Sequence, residues 1–220
     1  MTGLCGFRPL SKTVQEVEPI KKIFLLLLCV ITGFSVFAVS ANAASHTVVA
    51  GDTMWKIAVR YQVGLSEIKA ANPRIANPDL IYPGQTLNIP TTDDTVLYDE
   101  KEVVRLVNEA RAKQGLQPLT YNWELSRVAR YKSRDMKDHR YFSHTSPVYG
   151  TPFEMMKNFG ITYRTAGENI ARGQKTPKAV VDAWMNSSGH RANILNPSFT
   201  QIGVGYVADG NYWTQMFIGK

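Results

Sequence analysis

Tyr141-Phe142-Ser143-His144-Thr145-Ser146-Pro147 opens the stretch, running on to Pro197, whose reading decides the fold. It holds two of the chain's four histidines, His144 and His190, with Glu154 and Glu168 between them. The Ser and Pro after His144 put that residue on a turn that follows a helical run. Glu168 stands in Ala166-Gly167-Glu168-Asn169-Ile170-Ala171, and His190 in Trp184-Met185-Asn186-Ser187-Ser188-Gly189-His190-Arg191. Two imidazoles and two carboxylates can hold a divalent ion with an open position, or move protons as an acid/base group. Their intervals from His144, 10, 24 and 46 residues, do not force them together. On spacing alone, surface carboxylates and a hydrogen-bonded loop histidine account for the pattern equally well.

The surrounding periodicities describe helices followed by strands. Val103, Leu106, Val107 and Ala110 fall at i, i+3, i+4 and i+7, and Gly115 ends that helix. Leu125, Val128, Ala129 and Met136 mark a second helix, whose Arg127, Arg130, Lys132 and Arg134 read as a solvated face. Thr151-Pro152 starts a third helix, through about Phe159, with Thr151 as cap. Glu154 then sits near a helix N-terminus, where the dipole favours its charge. Glu168 to Ala171 reads as a short strand end. Thr176-Pro177 starts a fourth helix, with Val180, Ala183 and Trp184 on one face and Ser187-Ser188-Gly189 as its stop before His190. Ile202, Val204 and Tyr206 alternate up to Asp209-Gly210-Asn211, and Trp213, Gln215 and Phe217 return, which is a hairpin.

These segments, in this order, resemble the CAP superfamily of cysteine-rich secretory proteins, antigen 5 and plant pathogenesis-related proteins. The residues that carry the likeness are His144 after an aromatic-Ser pair, Gly167-Glu168-Asn169, and Trp184 leading to Gly189-His190-Arg191-Ala192-Asn193-Ile194-Leu195. The resemblance covers residues 98–220. It implies a three-layer α-β-α sandwich and a central cleft lined by His144, Glu168 and His190, with Glu154 as a fourth member on less distinctive flanks. Such clefts often hold a metal ion, and Zn²⁺ is the divalent ion expected.

Residues 44–90 read as a separate small unit in the order β-α-α-β. His46 to Val49 is β-prone, Gly51-Asp52-Thr53 turns and caps a helix, and Trp55, Ile57, Ala58 and Tyr61 recur at helical spacing, with Trp55 and Ile57 assigned to the core. Ser66 starts a second helix that ends at Asn72-Pro73, and Thr86 to Ile89 closes as a strand. The unit resembles the lysin motif, LysM, through Val48-x-x-Gly51-Asp52-Thr53-x-Trp55-x-Ile57-Ala58, Asn72-Pro73 and Leu80-x-x-Pro83-Gly84-Gln85-x-Leu87-x-Ile89-Pro90. That likeness implies a shallow groove for N-acetylglucosamine glycans. Its members would be Gly51, Asp52, Thr53 and Met54 from one loop and Asn77, Pro78, Asp79, Leu80 and Ile81 from the other. The fold class is therefore α+β, a βααβ unit followed by an α-β-α sandwich, with residues 91–97 as a short polar link.

Lys21 and Lys22, an apolar run over 23–39 and Ala41-Asn42-Ala43 describe a secretory signal peptide over residues 1–43. Retention of that segment would make it a membrane anchor. Both cysteines, Cys5 and Cys29, lie within it, so the remaining chain relies on its core rather than on disulfides, which suits a bacterial exterior. Losing this segment's four basic and two acidic side chains takes the formal charge from +7 to +5. That sign suits an anionic wall surface. No basic run interleaves with aromatics, so nucleic acid is not an expected partner. The expectation is a secreted, wall-associated protein that binds peptidoglycan or chitin-like glycan, and a spore envelope is a compatible site. Whether the second domain is an enzyme stays open: a cleft without chemistry, a metal-assisted hydrolase acting at the wall and a lipid carrier all fit the sequence.

Overall fold

A computed structural model describes residues 43–220. The expected signal segment lies outside the described residues, save for Ala43. Among them no helix is long and apolar enough to cross a membrane.

The first unit pairs β1 (Ala43–Thr47) antiparallel with β2 (Thr86–Pro90), His46 opposite Leu87, with α1 (Met54–Tyr61) and α2 (Leu65–Ala71) between them. Thr53 caps α1 by accepting from the Lys56 N–H at 3.1 Å. Met54, Ile57 and Ala58, at i, i+3 and i+4, turn inward against Ile68 and the alternating Leu87 and Ile89 of β2. Buried Asn72 joins helix to strand, donating to the Ile68 and Asn88 carbonyls at 2.7 Å and accepting from the Asn88 N–H at 2.8 Å. One assignment is corrected. Trp55, expected in the core, is 55% exposed, because the inward stripe of α1 passes through its neighbours 54, 57 and 58.

The link over 91–97 is shorter than expected. Asp93 accepts from the N–H groups of Thr95 and Val96 at 2.8 and 3.4 Å, capping α3 (Asp94–Ala112), and Val96 packs against the second domain's core. Residues 91–93 alone separate β2 from that helix.

The second domain continues with β3 (Thr120–Tyr121), α4 (Trp123–Asp138), α5 (Pro152–Asn158), β4 (Thr165–Arg172), α6 (Pro177–Asn186), α7 (Ser188–Ile194), β5 (Gln201–Val207) and β6 (Tyr212–Gly219). The strands lie in the order β3-β5-β6-β4, with β3 parallel to β5 and the other pairs antiparallel. Alternation along β6 supplies both faces. Trp213 and Phe217 join Val103, Val107, Val180 and Trp184 of α3 and α6, while Met216 and Ile218 join Leu125, Val128, Met155 and Met156 of α4 and α5. This is the α-β-α sandwich. Each such aromatic core residue is worth roughly 3–5 kcal/mol against truncation to Ala.

α4 meets β5 backbone to backbone. A Cβ on Gly203 would lie 2.3 Å from the Leu125 carbonyl carbon, and one on Gly205 would lie 2.1 Å from that of Ala129. The close approach lets side chains of α3 and α4 serve the strand: Val204 N–H donates to Ser126 Oγ at 2.9 Å, and Tyr206 N–H to Glu100 Oε1 at 3.1 Å. Glu100 is fully buried and takes a two-point contact from Arg130 at 2.7–2.9 Å. The basic face expected on α4 is only partly solvated: Arg134 is exposed, but Arg130 is ion-paired inside the fold, and Lys132 is buried. Arg111 is also buried, with its guanidinium donating to the carbonyls of Gln117, Ile194 and Asn196 at 2.7–2.9 Å. No carboxylate is needed there, because peptide dipoles already solvate the cation.

Two glycines should respond in opposite ways. Gly205→Ala forces its methyl into α4 and should destabilise the domain by about 3 kcal/mol. Gly189→Ala, with open space around the new Cβ on α7, should stabilise it by about 0.5–1 kcal/mol. Urea unfolding of each variant checks both signs.

Candidate functional site

Three elements carry the residues expected in the cleft: the loop after α4, strand β4 and helix α7. His144 sits on the loop with its ring 51% exposed, and its Nδ1 lies 2.7 Å from Glu168 Oε1. The Glu168 side chain, on β4, is 2% exposed, and its Oε2 is buried without a hydrogen-bond partner. Burial pushes the Glu168 carboxyl up, opposed by the His144 hydrogen bond and the Lys132 charge.

Beneath the loop lies a polar foundation that sequence reading missed. Lys132 Nζ donates to the His144 carbonyl at 2.7 Å and to the Tyr141 hydroxyl at 3.2 Å. Burial pushes its ammonium down, while Glu168 and Asp135 oppose that shift. Asp135 accepts from Ser146 Oγ at 2.6 Å and from the Tyr141 hydroxyl, and pairs with His139 Nδ1 at 2.8 Å. Together Lys132 and Asp135 fasten residues 141–146 onto α4. A signal existed: Lys132 continues the Leu125, Val128, Ala129 stripe towards Met136, so a lysine occupies an inward helical position.

His190 lies inside α7, a short helix after α6, rather than in a loop after a helix stop. α7 is held by two asparagines. Asn193 Nδ2 donates to the Glu168 carbonyl at 3.2 Å and to Asn169 Oδ1 at 2.9 Å, and Asn169 Nδ2 donates to the His190 carbonyl at 3.0 Å. Burial and then the His144 charge push the His190 imidazole below its ordinary range, which favours its neutral form. The Asn193 and Asn169 bonds set α7, which carries His190, against β4, which carries Glu168.

Glu154 does not share those hydrogen bonds. Its Oε2 accepts from the Thr151 N–H at 2.7 Å and the Thr151 hydroxyl at 2.8 Å, and its own N–H returns to Thr151 Oγ1 at 3.2 Å. This is a capping box at the start of α5. Those bonds hold its carboxyl below the usual range.

A divalent ion is the ligand expected of this residue set, and Glu168 Oε2 is a buried carboxylate oxygen lacking a partner. Among the described residues, however, no three His, Cys, Asp or Glu side chains come together as a set that could hold one. Water would have to complete the shell.

In the first unit, the loop residues divide. Asp52 is 4% exposed at its side chain, with His46 Nε2 at 2.8 Å and the Val49 N–H at 3.1 Å on one oxygen. These bonds hold its carboxyl below the usual range. Met54, expected to offer apolar contact, is 3% exposed within the core. Thr53 is occupied as a cap, and the Gly51 carbonyl accepts from Lys56 Nζ at 2.8 Å. From the second loop, Asn77 Oδ1 accepts from the Asp79 N–H at 2.9 Å, shaping a turn that leaves Leu80 56% exposed. Pro78 is half-buried, and Ile81 packs partly against the core. Exposed Val49 and Tyr82 stand on adjoining turns, joined by the Val48–Gln85 and Gly84–Val48 hydrogen bonds.

A lysin-type unit ahead of a CAP-type sandwich is thus the class of protein defined by fold and site. The chain belongs to the cysteine-rich secretory protein family, CAP, whose model matches residues 104–218, and a LysM domain precedes it at residues 46–90. YkwD of Bacillus subtilis (strain 168) is 57% identical over 155 residues, covering 70% of this chain and 60% of YkwD. The chain thus spans less than two thirds of that relative's length. LytE of the same organism, named as a probable peptidoglycan endopeptidase, is 39% identical over 69 residues, 31% of this chain and 20% of LytE. Among solved structures, an extracellular protein containing a SCP domain from Bacillus anthracis str. Ames superposes with a TM-score of 0.55 at 36% identity, covering 63% of this chain and 47% of that one.

The two shifted groups of the cleft predict opposite pH slopes. His190 has a folded pKa below its unfolded value near 6.5, so its contribution is present above about pH 6.5 and lost as pH falls through the folded pKa. Wild type should therefore lose stability relative to His190→Gln between about pH 7 and pH 5. Glu168 is raised, so its contribution is present below about pH 4.5 and lost as pH climbs through the folded pKa. Denaturation of wild type, His190→Gln and Glu168→Gln across that range reads both slopes.

Proposed function

We propose that this protein is exported and binds N-acetylglucosamine-containing wall glycan, peptidoglycan first, through its LysM domain, and presents its CAP cleft to the same surface. The observation that carries the reading is the LysM match over residues 46–90, a span that includes both loops expected to form the groove. The likeness to LytE adds support for peptidoglycan as the glycan. Within the groove, the exposed Val49, Leu80 and Tyr82 offer faces to an acetamido methyl or a sugar ring, while turn backbone supplies hydrogen bonds. The side chains of Asp52, Thr53 and Met54 support the loop rather than reach the glycan.

A single shallow groove should bind in the micromolar to millimolar range, roughly, because few contacts offset the cost of ordering the ligand. Leu80→Ala should weaken retention on purified peptidoglycan by about 1–2 kcal/mol, as expected from the methyl and methylene groups lost, with stability unchanged. Asp52→Ala should instead lower folding stability, since it leaves the Val49 N–H and the His46 Nε2 unpaired. Pull-down alongside thermal unfolding separates the two effects. Full-length protein that stays in solution with every wall preparation would overturn the reading.

A second reading is favoured by the unpartnered Glu168 oxygen beside His144, together with the neutral His190: the cleft takes a divalent ion such as Zn²⁺ and serves metal-assisted hydrolysis. In it His144 and His190 would be the ligands, Glu168 would orient a water, and the ion would supply Lewis acidity. Titrating Zn²⁺ while following unfolding tests this. Wild type should be stabilised by metal, and the His144→Ala/His190→Ala variant should not respond. Equal behaviour of the two would leave a polar cleft without a metal.

A further inference from the structure

Arg127 lies on α4 of the CAP domain, yet its guanidinium points into the LysM domain. Nε donates to Glu67 Oε1 at 2.5 Å, and Nη2 donates to Glu67 Oε2 and to Ser66 Oγ, each at 3.0 Å. Ser66 Oγ in turn donates to Glu67 Oε2 at 2.7 Å, so the acceptor is itself held in place. The guanidinium is gripped from its own side as well, 5.5 Å from the Tyr131 ring and 5.3 Å from that of Phe159, which meet edge to face. Arg127 is four-fifths buried at its side chain, and Glu67 nearly as much. Burial pushes Glu67 up, but the Arg127 and Ser66 hydrogen bonds outweigh it and hold the carboxyl below its usual range.

The third observation is steric. Gly64 caps α2 with an ordinary φ of −74°, so its backbone conformation does not require glycine. A Cβ there would lie 1.9 Å from Glu67 Oε2 and 2.3 Å from Arg127 Nε, so the ends of those two side chains would have to shift, and their ion pair with them. A two-point ion pair, an aromatic clamp around the cation and a glycine shaved to admit it are the marks of a built interface. Charges meeting at the ends of a loose tether need none of these.

We propose that the outer face of α4 at Arg127 and Tyr131, together with Phe159 at the end of α5, is a dock for the Gly64-Leu65-Ser66-Glu67 turn, and that it locks the LysM and CAP domains into one rigid two-site body. Residues 91–93 leave too little chain for independent movement once that contact is made. The consequence is thermodynamic coupling: glycan held by the LysM domain stabilises the CAP domain too. This last step rests on the glycan-binding reading above, whereas the dock itself does not.

Calorimetry of the full chain tests the dock without any ligand. Wild type should unfold both domains in one transition. Arg127→Glu, which places two carboxylates face to face, should split it into two, and Arg127→Glu combined with Glu67→Arg should restore one. Gly64→Ala should split the transition as well, through space alone. Two transitions in wild type, or variants indistinguishable from it, would overturn the dock. Adding chitotetraose then reads the coupling: both domains should shift upward together in wild type, and only the LysM transition in Arg127→Glu. A wild type with one transition that is unmoved by the oligomer would count against the glycan reading and leave the dock standing.

Discussion

The fold depends on two pieces of backbone lying closer together than side chains normally permit. Where α4 crosses β5, Gly203 and Gly205 leave the strand bare, and the helix settles onto it. That separation decides which side chains can span from helix to strand. Ser126 and Ser133 are short enough to reach β5 from α4, and Ser133 also meets the Thr214 hydroxyl of β6 at 2.8 Å. The loop carrying His144 is fastened to the same helix, so its position relative to Glu168 on β4 is inherited from this crossing.

The molecule handles buried charge in three ways. Glu100 and Arg130 neutralise one another and turn the remaining acceptor capacity to a strand N–H. Arg111 uses peptide carbonyls alone, and in doing so ties α3 to the chain between α7 and β5. Lys132 and Glu168 are less completely satisfied, each with its charged form disfavoured by burial. Only this last arrangement opens to solvent, through the half-exposed ring of His144. The first two sets of charges are closed off, and Glu168 is left with an unanswered oxygen.

Much of the architecture was legible because it rests on local rules. Thr151-Pro152 and Thr176-Pro177 are helix starts by capping chemistry, and both helices begin there. The hairpin follows from alternation around Asp209-Gly210-Asn211, and it forms β5 and β6. What was not legible depends on which way a side chain points once elements pack. The basic residues of α4 look like a wet face in the sequence, yet Arg130 and Lys132 point inward, because partners for them arrive from α3 and from the His144 loop. Trp55 looked like core by its helical spacing with Ile57, Ala58 and Tyr61, but the register of α1 puts Met54, Ile57 and Ala58 inside and turns the indole out. Glu154 was drawn towards the cleft by its type, whereas Thr151, three residues away, holds it. In the cleft, His144 and Glu168 are joined by a tertiary contact of 24 residues' separation that no spacing rule contains.

One detail of β5 reaches beyond the fold. β3 pairs with Gln201 and Ile202 alone, so the next donors along β5, Val204 and Tyr206, would be open to another chain. Ser126 and Glu100 occupy them instead. Strand edges are where extended segments of neighbouring molecules add on and begin to aggregate, and usual safeguards are a covering element or a charge. Here a helix does the covering and a buried carboxylate supplies the acceptor. The sheet is thereby kept from serving as a template for polymerisation.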